Sequence, residues 1–288
     1  MRTTTLFGTA LLLGIAACGK GADREGGSPN GAPVAVISEA SAGELPRAAS
    51  SADAGAAPTP VSAGVPIKTC SARSGKVVVL TFDDGPSPYT DRLLGILKEK
   101  RAPAAFFLKG KKLDPTFQGY QEHRARVRRI HEAGHEICNH TFTHRGLVGQ
   151  TADKMREDIV KPEALIAGIT GRRTKCLRPP YGDRNEEVLR LLGELDYLVI
   201  LWSLNTEDWR YASTDRLKEL DPGKMVELIQ KTTGRVPGPH IHIQHDSEYS
   251  EPSVEAVPGI IDALRGQGYE TISLSECIGA PIDGPWKG

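Results

Sequence analysis

The sequence lacks an excess of charge of either sign and any long apolar run. Its 288 residues include 36 basic and 36 acidic side chains, so the formal net charge is zero. A protein that binds nucleic acid needs a broad basic surface to neutralise phosphates, so we expect no nucleic-acid partner. No uninterrupted apolar stretch reaches the roughly 18 residues of a membrane-spanning helix. The composition therefore indicates a neutral, enzyme-sized protein of one large or two small domains.

The first residues have the pattern of an export signal. Arg2 supplies a positive charge, and a short apolar run ends in Ile15-Ala16-Ala17-Cys18, which resembles the lipobox of bacterial lipoproteins. We therefore predict a lipoprotein signal peptide over residues 1–17 and a lipidated Cys18. The lipid would hold an exported protein on a bacterial membrane, facing the periplasm or the cell surface. An ordinary secretory signal with a chance cysteine is the alternative.

Residues 18–67 are rich in Ala, Gly, Ser and Pro and poor in large apolar side chains. Such a segment buries too little apolar surface to offset the conformational entropy that ordering removes. We predict a disordered tether over these residues and a folded catalytic domain over residues 68–288.

Strand-like and helical patterns alternate beyond the tether. Apolar runs that predict strands occur at Val77–Phe82, Ala104–Leu108, Glu136–Cys138, Thr174–Leu177, Leu198–Trp202, His240–Gln244 and Glu270–Leu274. Helix-spaced apolar residues such as Leu93 and Leu97 lie between them. Seven strands with crossover helices predict an α/β domain with a parallel sheet or barrel. In such a barrel the reactive residues gather at the carboxyl ends of the strands.

Polar segments follow the first and third predicted strands. The first strand runs into Asp83-Asp84-Gly85-Pro86, where two adjacent carboxylates repel each other and require a cation or other partners. The third is followed by His140 and His144, and histidines four apart on the first turns of a helix face the same way, which suits a divalent metal. Taken singly, an Asp-rich helix cap and two solvent-facing histidines are the simpler alternatives.

Three further polar segments follow later strands: Arg178-Pro179-Pro180-Tyr181-Gly182, then Asn205-Thr206-Glu207-Asp208-Trp209, then Ile243-Gln244-His245-Asp246. The guanidinium of Arg178 can form a bidentate pair with a carboxylate. By strand alternation Ile243 and His245 share one face, whereas His240 and His242 point the other way. We expect these last two histidines to be outward-facing strand residues outside any metal site.

Together these five segments resemble the polysaccharide deacetylase (NodB-homology) family of carbohydrate esterases, over about Cys70 to Gly279. The segments TFDDGP, HTFTH, RPPYG, the one ending Asp208-Trp209, and IQHD occur in the order of the family's motifs. The family's DxxDW motif begins here with Asn205, which puts the contribution of its first Asp in doubt. The resemblance implies a distorted (β/α)7 barrel, in agreement with the seven predicted strands.

The resemblance also implies a metal site and an acid–base pair. A divalent metal ion, with Zn²⁺ preferred over Co²⁺ or another ion, would be bound by Asp84, His140 and His144. Asp83 would be the general base, kept ionised by Arg178. His245 would be the general acid, and Asp208 would orient it and raise its pKa.

Other matched residues would hold the acetyl group. The backbone N–H of Tyr181, pre-set by Pro179-Pro180, would help to stabilise the oxyanion. Trp209 and Ile243 would line a small acetyl pocket, and Pro180 would contact the substrate.

Four cysteines lie beyond Cys18, and an even number in an exported domain suggests disulfides. Cys70 precedes the first strand and Cys277 follows the last, so we predict that they are bridged. This pairing also resembles the terminal disulfide of fungal chitin deacetylases in the family. Cys138 and Cys176, on neighbouring strands, are either a second bridge or two buried free thiols.

The function implied by the resemblance is metal-dependent removal of N-acetyl groups from N-acetylglucosamine units, with release of acetate. Peptidoglycan and chitooligosaccharide are the expected substrates, and a monomer is the expected state. O-deacetylation, as in acetylxylan esterases, and a catalytically silent carbohydrate-binding relative are the alternatives. A non-haem iron oxygenase would use the same ligand set but would leave Asp83 and His245 without a role.

Overall fold

A parallel β-sheet covered by helices forms the centre of the fold. The computed structural model describes residues 61–211, 219 and 221–285; the predicted signal peptide, Cys18 and the tether up to residue 60 lie outside them. The strands are β1 Pro66–Ile67, β2 Val77–Gly85, β3 Ala104–Leu108, β4 Glu136–Asn139, β5 Arg172–Thr174, β6 Cys176–Leu177, β7 Leu198–Ile200, β8 Leu204–Asn205, β9 His240–His245, β10 Glu270–Thr271 and β11 Asp283–Pro285.

Seven α-helices occur in the described part of the chain. They are α1 Thr90–Lys100, α2 Tyr120–Glu132, α3 Ala152–Thr170, α4 Glu186–Glu194, α5 Pro222–Arg235, α6 Glu251–Gly266 and α7 Leu274–Ile278. Short 3₁₀ helices occur at Gly110–Leu113, Pro180–Gly182 and Asp208–Tyr211. Within the described ranges, none of the helices combines the length and apolar character needed to cross a membrane.

The strand order confirms the predicted parallel α/β architecture. The described strands of the main sheet follow the order β1–β7–β6–β4–β3–β2–β9–β8, with β10 added beside β2, and all their pairings are parallel. The sheet curls as an open half-barrel that ends at β1 and β8. β5 and β11 form a separate antiparallel pair.

Strand alternation divides the core into layers. Leu80 of β2 packs on the helix-covered face with Leu93 and Leu97 of α1. The next residue back, Val79, belongs to a second apolar cluster with Phe107 and Ile241 on the opposite face. This division follows from the period of two in a strand, and it directs Thr81 and Asp83 to the same face as Val79.

The four cysteines of the second cluster form two disulfides. Cys70 is joined to Cys277, the predicted pair, across 207 residues of sequence. Cys138 is joined to Cys176, across 38 residues. Of the two alternatives for Cys138 and Cys176, the structure has the bridge.

Several observed boundaries differ from the predicted ones, and three of the differences have a clear structural cause. The strand predicted at Thr174–Leu177 is divided at Lys175, whose N–H donates to Ile282 while its carbonyl accepts from Leu198. The last predicted strand stops early, because Ser273 caps the helix that begins at Leu274. The folded part begins before Lys68, because β1 pairs with β7 and Ile67 is buried.

His240 and His242 of β9 point away from the face that carries His245, as predicted, but both are buried. His240 is 3% exposed, and its ring nitrogens lie near Ser203 and Val236. His242 is fully buried, and neither ring nitrogen has a hydrogen-bond partner in the described residues. The reason is that helices cover this face of the sheet, so pointing away from the barrel interior does not mean facing solvent.

Candidate active site

Polar side chains from four strands meet at the carboxyl edge of the sheet. In the pairing of β2 with β9, Asp83 lies opposite His245. β4 and β6 end directly before His140 and Arg178. Because parallel strands present their carboxyl ends at one edge, segments far apart in sequence converge there.

Asp84, His140 and His144 form a cluster with the spacing of metal ligands. One potential ligand atom from each lies within 4.8 Å of the others. Oδ1 of Asp84 is 3.0 Å from Nε2 of His144 and 3.6 Å from Nε2 of His140. This oxygen is buried and accepts no hydrogen bond from the described residues. One unpartnered carboxylate oxygen facing two imidazole nitrogens fits a divalent metal ion.

Local electrostatics keep these groups in the protonation states that a metal needs. Nδ1 of His140 donates to the carbonyl oxygen of Arg178 at 2.7 Å, which leaves Nε2 with the lone pair. Burial lowers the pKa of His140 to about 4, so the ring is neutral at pH 7. Burial raises the pKa of Asp84, but Lys109 and His144 outweigh it and hold that pKa well below its usual range.

The segment that carries the two histidines is a loop, whereas the sequence predicted a helix. Thr141 and His144 both have positive φ, of 63° and 57°. The loop is fixed by side chains: Asn139 accepts from the N–H of Thr141 at 2.8 Å, and Asp158 accepts from that of Thr143 at 2.7 Å. The ring centroids of His140 and His144 nevertheless lie 4.9 Å apart. The two imidazoles are therefore brought together by tertiary contacts and not by helical periodicity.

Arg178 holds Asp83 through one strong contact and not through a bidentate pair. Nη1 donates to Oδ1 of Asp83 at 2.6 Å and to the hydroxyl of Thr81 at 2.8 Å. Nε and Nη2 donate to the carbonyl oxygens of Ile200 and Leu201. Burial lowers the pKa of Arg178, while Asp83 raises it. The other oxygen of Asp83 is 3.7 Å from Nε2 of His140, beside the metal-ligand cluster.

His245 and buried Asp208 form a second pair of opposite charge, in which the histidine is partly exposed. Nδ1 of His245 donates to Oδ1 of Asp208 at 2.8 Å. Burial lowers the pKa of His245, but the charge and hydrogen bond of Asp208 raise it to about 9. Burial likewise raises the pKa of Asp208, yet His245 and the hydroxyl of Ser253 bring it down to about 2. At neutral pH this pair is therefore an imidazolium and a carboxylate.

The other predicted site residues border this group. Tyr181 has φ 60° and a side chain that is 72% exposed, and its ring packs edge-on against His144 at 5.0 Å. Pro180 is buried, and Ile243 is 4% exposed on the same strand face as His245. The indole of Trp209 is half-exposed, and its backbone N–H donates to Asp208.

Asn205, the one departure from the family motif, makes a local turn. Its Oδ1 accepts from the N–H of Glu207 at 2.8 Å, and Glu207 has φ 58°. An amide oxygen and a carboxylate oxygen can both accept this hydrogen bond. In this structure the residue therefore shapes the loop before Asp208 and makes no contact with the metal-ligand cluster.

Two supporting residues were absent from the sequence prediction. Thr81 accepts from Arg178, and Ser253 donates to Asp208 at 2.5 Å. Thr81 was recognisable, because it lies two residues before Asp83 on the same strand face. Ser253 had no such pattern, because it comes from α6, 45 residues after Asp208.

The curled parallel sheet covered by helices, with these polar groups at its carboxyl edge, defines an α/β protein with a candidate active site. Residues 71–200 match the family described as polysaccharide deacetylase. Two Bacillus cereus proteins named peptidoglycan-N-acetylglucosamine deacetylase are each 33% identical, over 68% and 72% of this chain and 66% and 72% of their own lengths. This chain belongs to the polysaccharide deacetylase family and is a deacetylase by class.

Relatives with other named substrates are similar too. The Bacillus subtilis peptidoglycan-N-acetylmuramic acid deacetylase PdaC is 33% identical over 70% of this chain, which spans 38% of that protein. The solved structure of the chitin deacetylase of Colletotrichum lindemuthianum superposes with a TM-score of 0.67 at 27% identity. The match covers 77% of this chain and 94% of that one.

Proposed function

We propose that this protein is a metal-dependent hydrolase that removes N-acetyl groups from N-acetylglucosamine units of a cell-wall or chitin-type polysaccharide, releasing acetate. The observation that carries the proposal is the buried Oδ1 of Asp84, which accepts no hydrogen bond from the described residues, beside two histidines and between a buried and a part-buried ion pair. One pair presents a carboxylate and the other presents an imidazolium. Amide hydrolysis requires a base and an acid in these two states.

Asp83 is the general base in this proposal. Arg178 donates a hydrogen bond to one oxygen of its carboxyl group, and the second oxygen lies on the side of the metal-ligand cluster. There it removes a proton from the water that attacks the acetyl carbonyl. Because Arg178 donates to Oδ1 of Asp83, this contact fixes the orientation of the carboxyl group and places a positive charge beside it.

His245 is the general acid. With Nδ1 bound to Asp208, the proton on Nε2 is the one available for transfer to the leaving amine. The pKa near 9 means that most molecules carry this proton at neutral pH. The base and the acid are thus kept in opposite protonation states by partners of opposite charge.

Asp84, His140 and His144 would hold the metal ion, with Zn²⁺ as the preferred ion because imidazole and carboxylate ligands suit it. Such an ion lowers the pKa of a nearby water and polarises a carbonyl oxygen. The backbone N–H of Tyr181 is proposed to donate to the developing oxyanion. Trp209, Ile243 and Pro180 are proposed to contact the acetylated sugar.

The substrate class is proposed from chemistry and from similarity. An amide leaving group needs the acid that His245 provides more than an ester does, which favours N-deacetylation over O-deacetylation. Relatives of this chain are named for peptidoglycan and for chitin, both of which contain N-acetylglucosamine. A lipid on Cys18 would keep a monomeric domain next to the cell wall, and this location remains a proposal.

The test is acetate release by the purified full-length protein from chitooligosaccharide, peptidoglycan and acetylxylan. Each substrate is assayed after chelation and after addition of Zn²⁺ or Co²⁺. We expect metal-dependent release from at least one N-acetylated glycan. Release only from acetylxylan would instead support the O-deacetylase alternative.

A folded, metal-loaded protein that releases no acetate from any of the three would contradict the proposal. Binding of the same glycans, measured by calorimetry, would then support the silent carbohydrate-binding alternative. An Asp83→Asn variant is the matched control, because it keeps the size of the side chain and removes the proposed base together with the charge that faces Arg178.

A further inference from the structure

Lys112 is a buried cation that the catalytic roles leave unused. It lies in the 3₁₀ helix Gly110–Leu113, after β3, and is 4% exposed. A lysine is rarely buried so completely unless its ammonium is paired. Its contacts therefore identify what it does.

The ammonium of Lys112 connects two segments of the site. Nζ donates to the carbonyl oxygen of Asp84 at 2.8 Å and to that of Pro86 at 3.0 Å. It also pairs with Oε1 of Glu248 at 2.6 Å. Three acceptors satisfy the three donors of an ammonium group.

The first of these contacts falls on a residue with an unfavourable backbone. Asp84 has φ 74°, in the left-handed region that residues other than glycine seldom adopt. The conformation persists only where surrounding contacts impose it. The Lys112 contact is made to the carbonyl of this same residue, whose side chain is one of the three candidate metal ligands.

The second segment follows the general acid. Glu248 lies three residues after His245, and the same loop is joined to the Asp83–Thr90 segment by Asp246. The N–H of Asp246 donates to the carbonyl of Asp83, and its carboxylate accepts from Ser87 and Thr90. The Lys112–Glu248 pair adds a charged contact to this junction.

We propose that Lys112 is a positioning residue for the metal site: its ammonium holds Asp84 in the left-handed conformation that aims the carboxylate at His140 and His144. This inference rests on the proposed metal-dependent function. It assigns Lys112 no contact with substrate and no part in proton transfer.

The direction of the change in metal affinity distinguishes a positioning role of Lys112 from a purely electrostatic one. Lys112 is a cation close to a cation site, so removal of its charge alone should strengthen metal binding. Loss of positioning should weaken it. Lys109 is the matched control, because its Nζ is 3.8 Å from Oδ1 of Asp84 and, among the described residues, donates no hydrogen bond to the Asp84 backbone.

The experiment is a Co²⁺ titration of the metal-stripped full-length protein, followed by visible absorption, together with the melting temperature of the metal-free protein. We expect Lys112→Met to weaken Co²⁺ binding on the order of 10- to 100-fold, the usual range for a residue that supports a metal ligand. Lys109→Met should bind Co²⁺ as tightly as the wild type or more tightly.

Lys112→Arg is the second variant and is expected to fold even if Lys112→Met does not. Its planar fork cannot direct three donors from one nitrogen, so Co²⁺ affinity should fall between those of the wild type and the Met variant. Wild-type affinity in both the Met and the Arg variants would overturn the inference. A lower melting temperature with unchanged affinity would do the same, since it would show a role in folding alone.

The wild-type titration separates this inference from the function on which it rests. A wild-type protein that binds no Co²⁺ would overturn both the metal site and the role of Lys112. A wild type that binds Co²⁺ one to one, with equal affinity in the Lys112 variants, would overturn only the positioning role.

Discussion

The two edges of the sheet differ in which residues adopt left-handed backbone conformations. Seven described residues other than glycine have positive φ, and five of them lie in or after the last residues of strands at the carboxyl edge: Asp84, Thr141, His144, Tyr181 and Glu207. At the amino edge, Gly75, Gly134 and Gly268 occupy this conformation shortly before β2, β4 and β10. The remaining two, Arg101 and Asp196, follow helices α1 and α4 and also lie at the amino edge, shortly before β3 and β7.

This difference locates backbone strain at the site. A left-handed residue with a Cβ costs about 1–2 kcal/mol, which glycine avoids. The amino-edge turns need no side chain, so glycine is the low-energy choice. Asp84 and His144 cannot be replaced by glycine without loss of a ligand atom. Side-chain chemistry therefore explains why Asp84 and His144 keep this unfavourable conformation at the carboxyl edge.

Removal of a proposed metal ligand at the carboxyl edge should have the greatest effect. His140→Ala should lower kcat/KM for acetate release by at least ~10³, because a metal ion contributes several kcal/mol of transition-state stabilisation. His135→Ala, a histidine near the amino edge, is the control and should retain activity. Similar losses in both variants, with both proteins folded, would contradict the assignment of the site to one edge.

The next effect compares two Arg–Asp pairs. Asp83→Asn should lower kcat by about 10²–10⁴, since it removes the proposed base. It should also destabilise the protein by ~3–5 kcal/mol, because Arg178 stays buried without an opposite charge as its partner. Asp283→Asn removes the partner of Arg172 in an exposed pair and should cost at most ~1 kcal/mol. Activity and urea unfolding measure both variants. Near-normal turnover in Asp83→Asn would exclude the proposed base.

A smaller effect is expected on the pH profile. The pKa of His245 is raised to about 9, so its proton is present below that pH and kcat/KM should fall as pH rises through about 9. Asp208→Asn removes the charge that raises this pKa, so the alkaline limb should move about 1–2 units toward lower pH. The pH dependence of kcat/KM for both proteins measures the shift. An unmoved limb would mean that another group sets it.

The smallest effect is expected from Asn205→Asp, which restores the family motif. Either side chain can accept from the N–H of Glu207 and support its left-handed backbone. We expect activity and unfolding free energy to stay close to those of the natural protein, within about 0.5 kcal/mol, as for most substitutions that keep a local contact. A large gain in activity would instead assign the first Asp of the motif a direct catalytic contribution.

Strand bounds could be predicted from the sequence where a continuous apolar run is the dominant local signal. β3 was predicted at its observed bounds, since an apolar run buried on both faces has one stable conformation in a parallel sheet. The division at Lys175 was not predictable, because it depends on partners at Ile282 and Leu198 that are distant in sequence. The helix at Leu274 could have been found from Ser273 and Glu276, which match a capping box.

The chemical groups of the candidate site could be identified from the amino-acid sequence alone. The Asp83-Asp84 pair, the spaced histidines, Arg178 and the Asp208/His245 combination could be recognised because each follows a strand, and parallel strands share one carboxyl edge. The orientation of these groups, in contrast, depends on the folded chain. Three features depend on contacts between segments that are far apart in the chain: the loop conformation at His140–His144, the single Arg178–Asp83 contact and the burial of Lys112. Such contacts leave no pattern in the neighbouring residues, so they could not be predicted from the sequence.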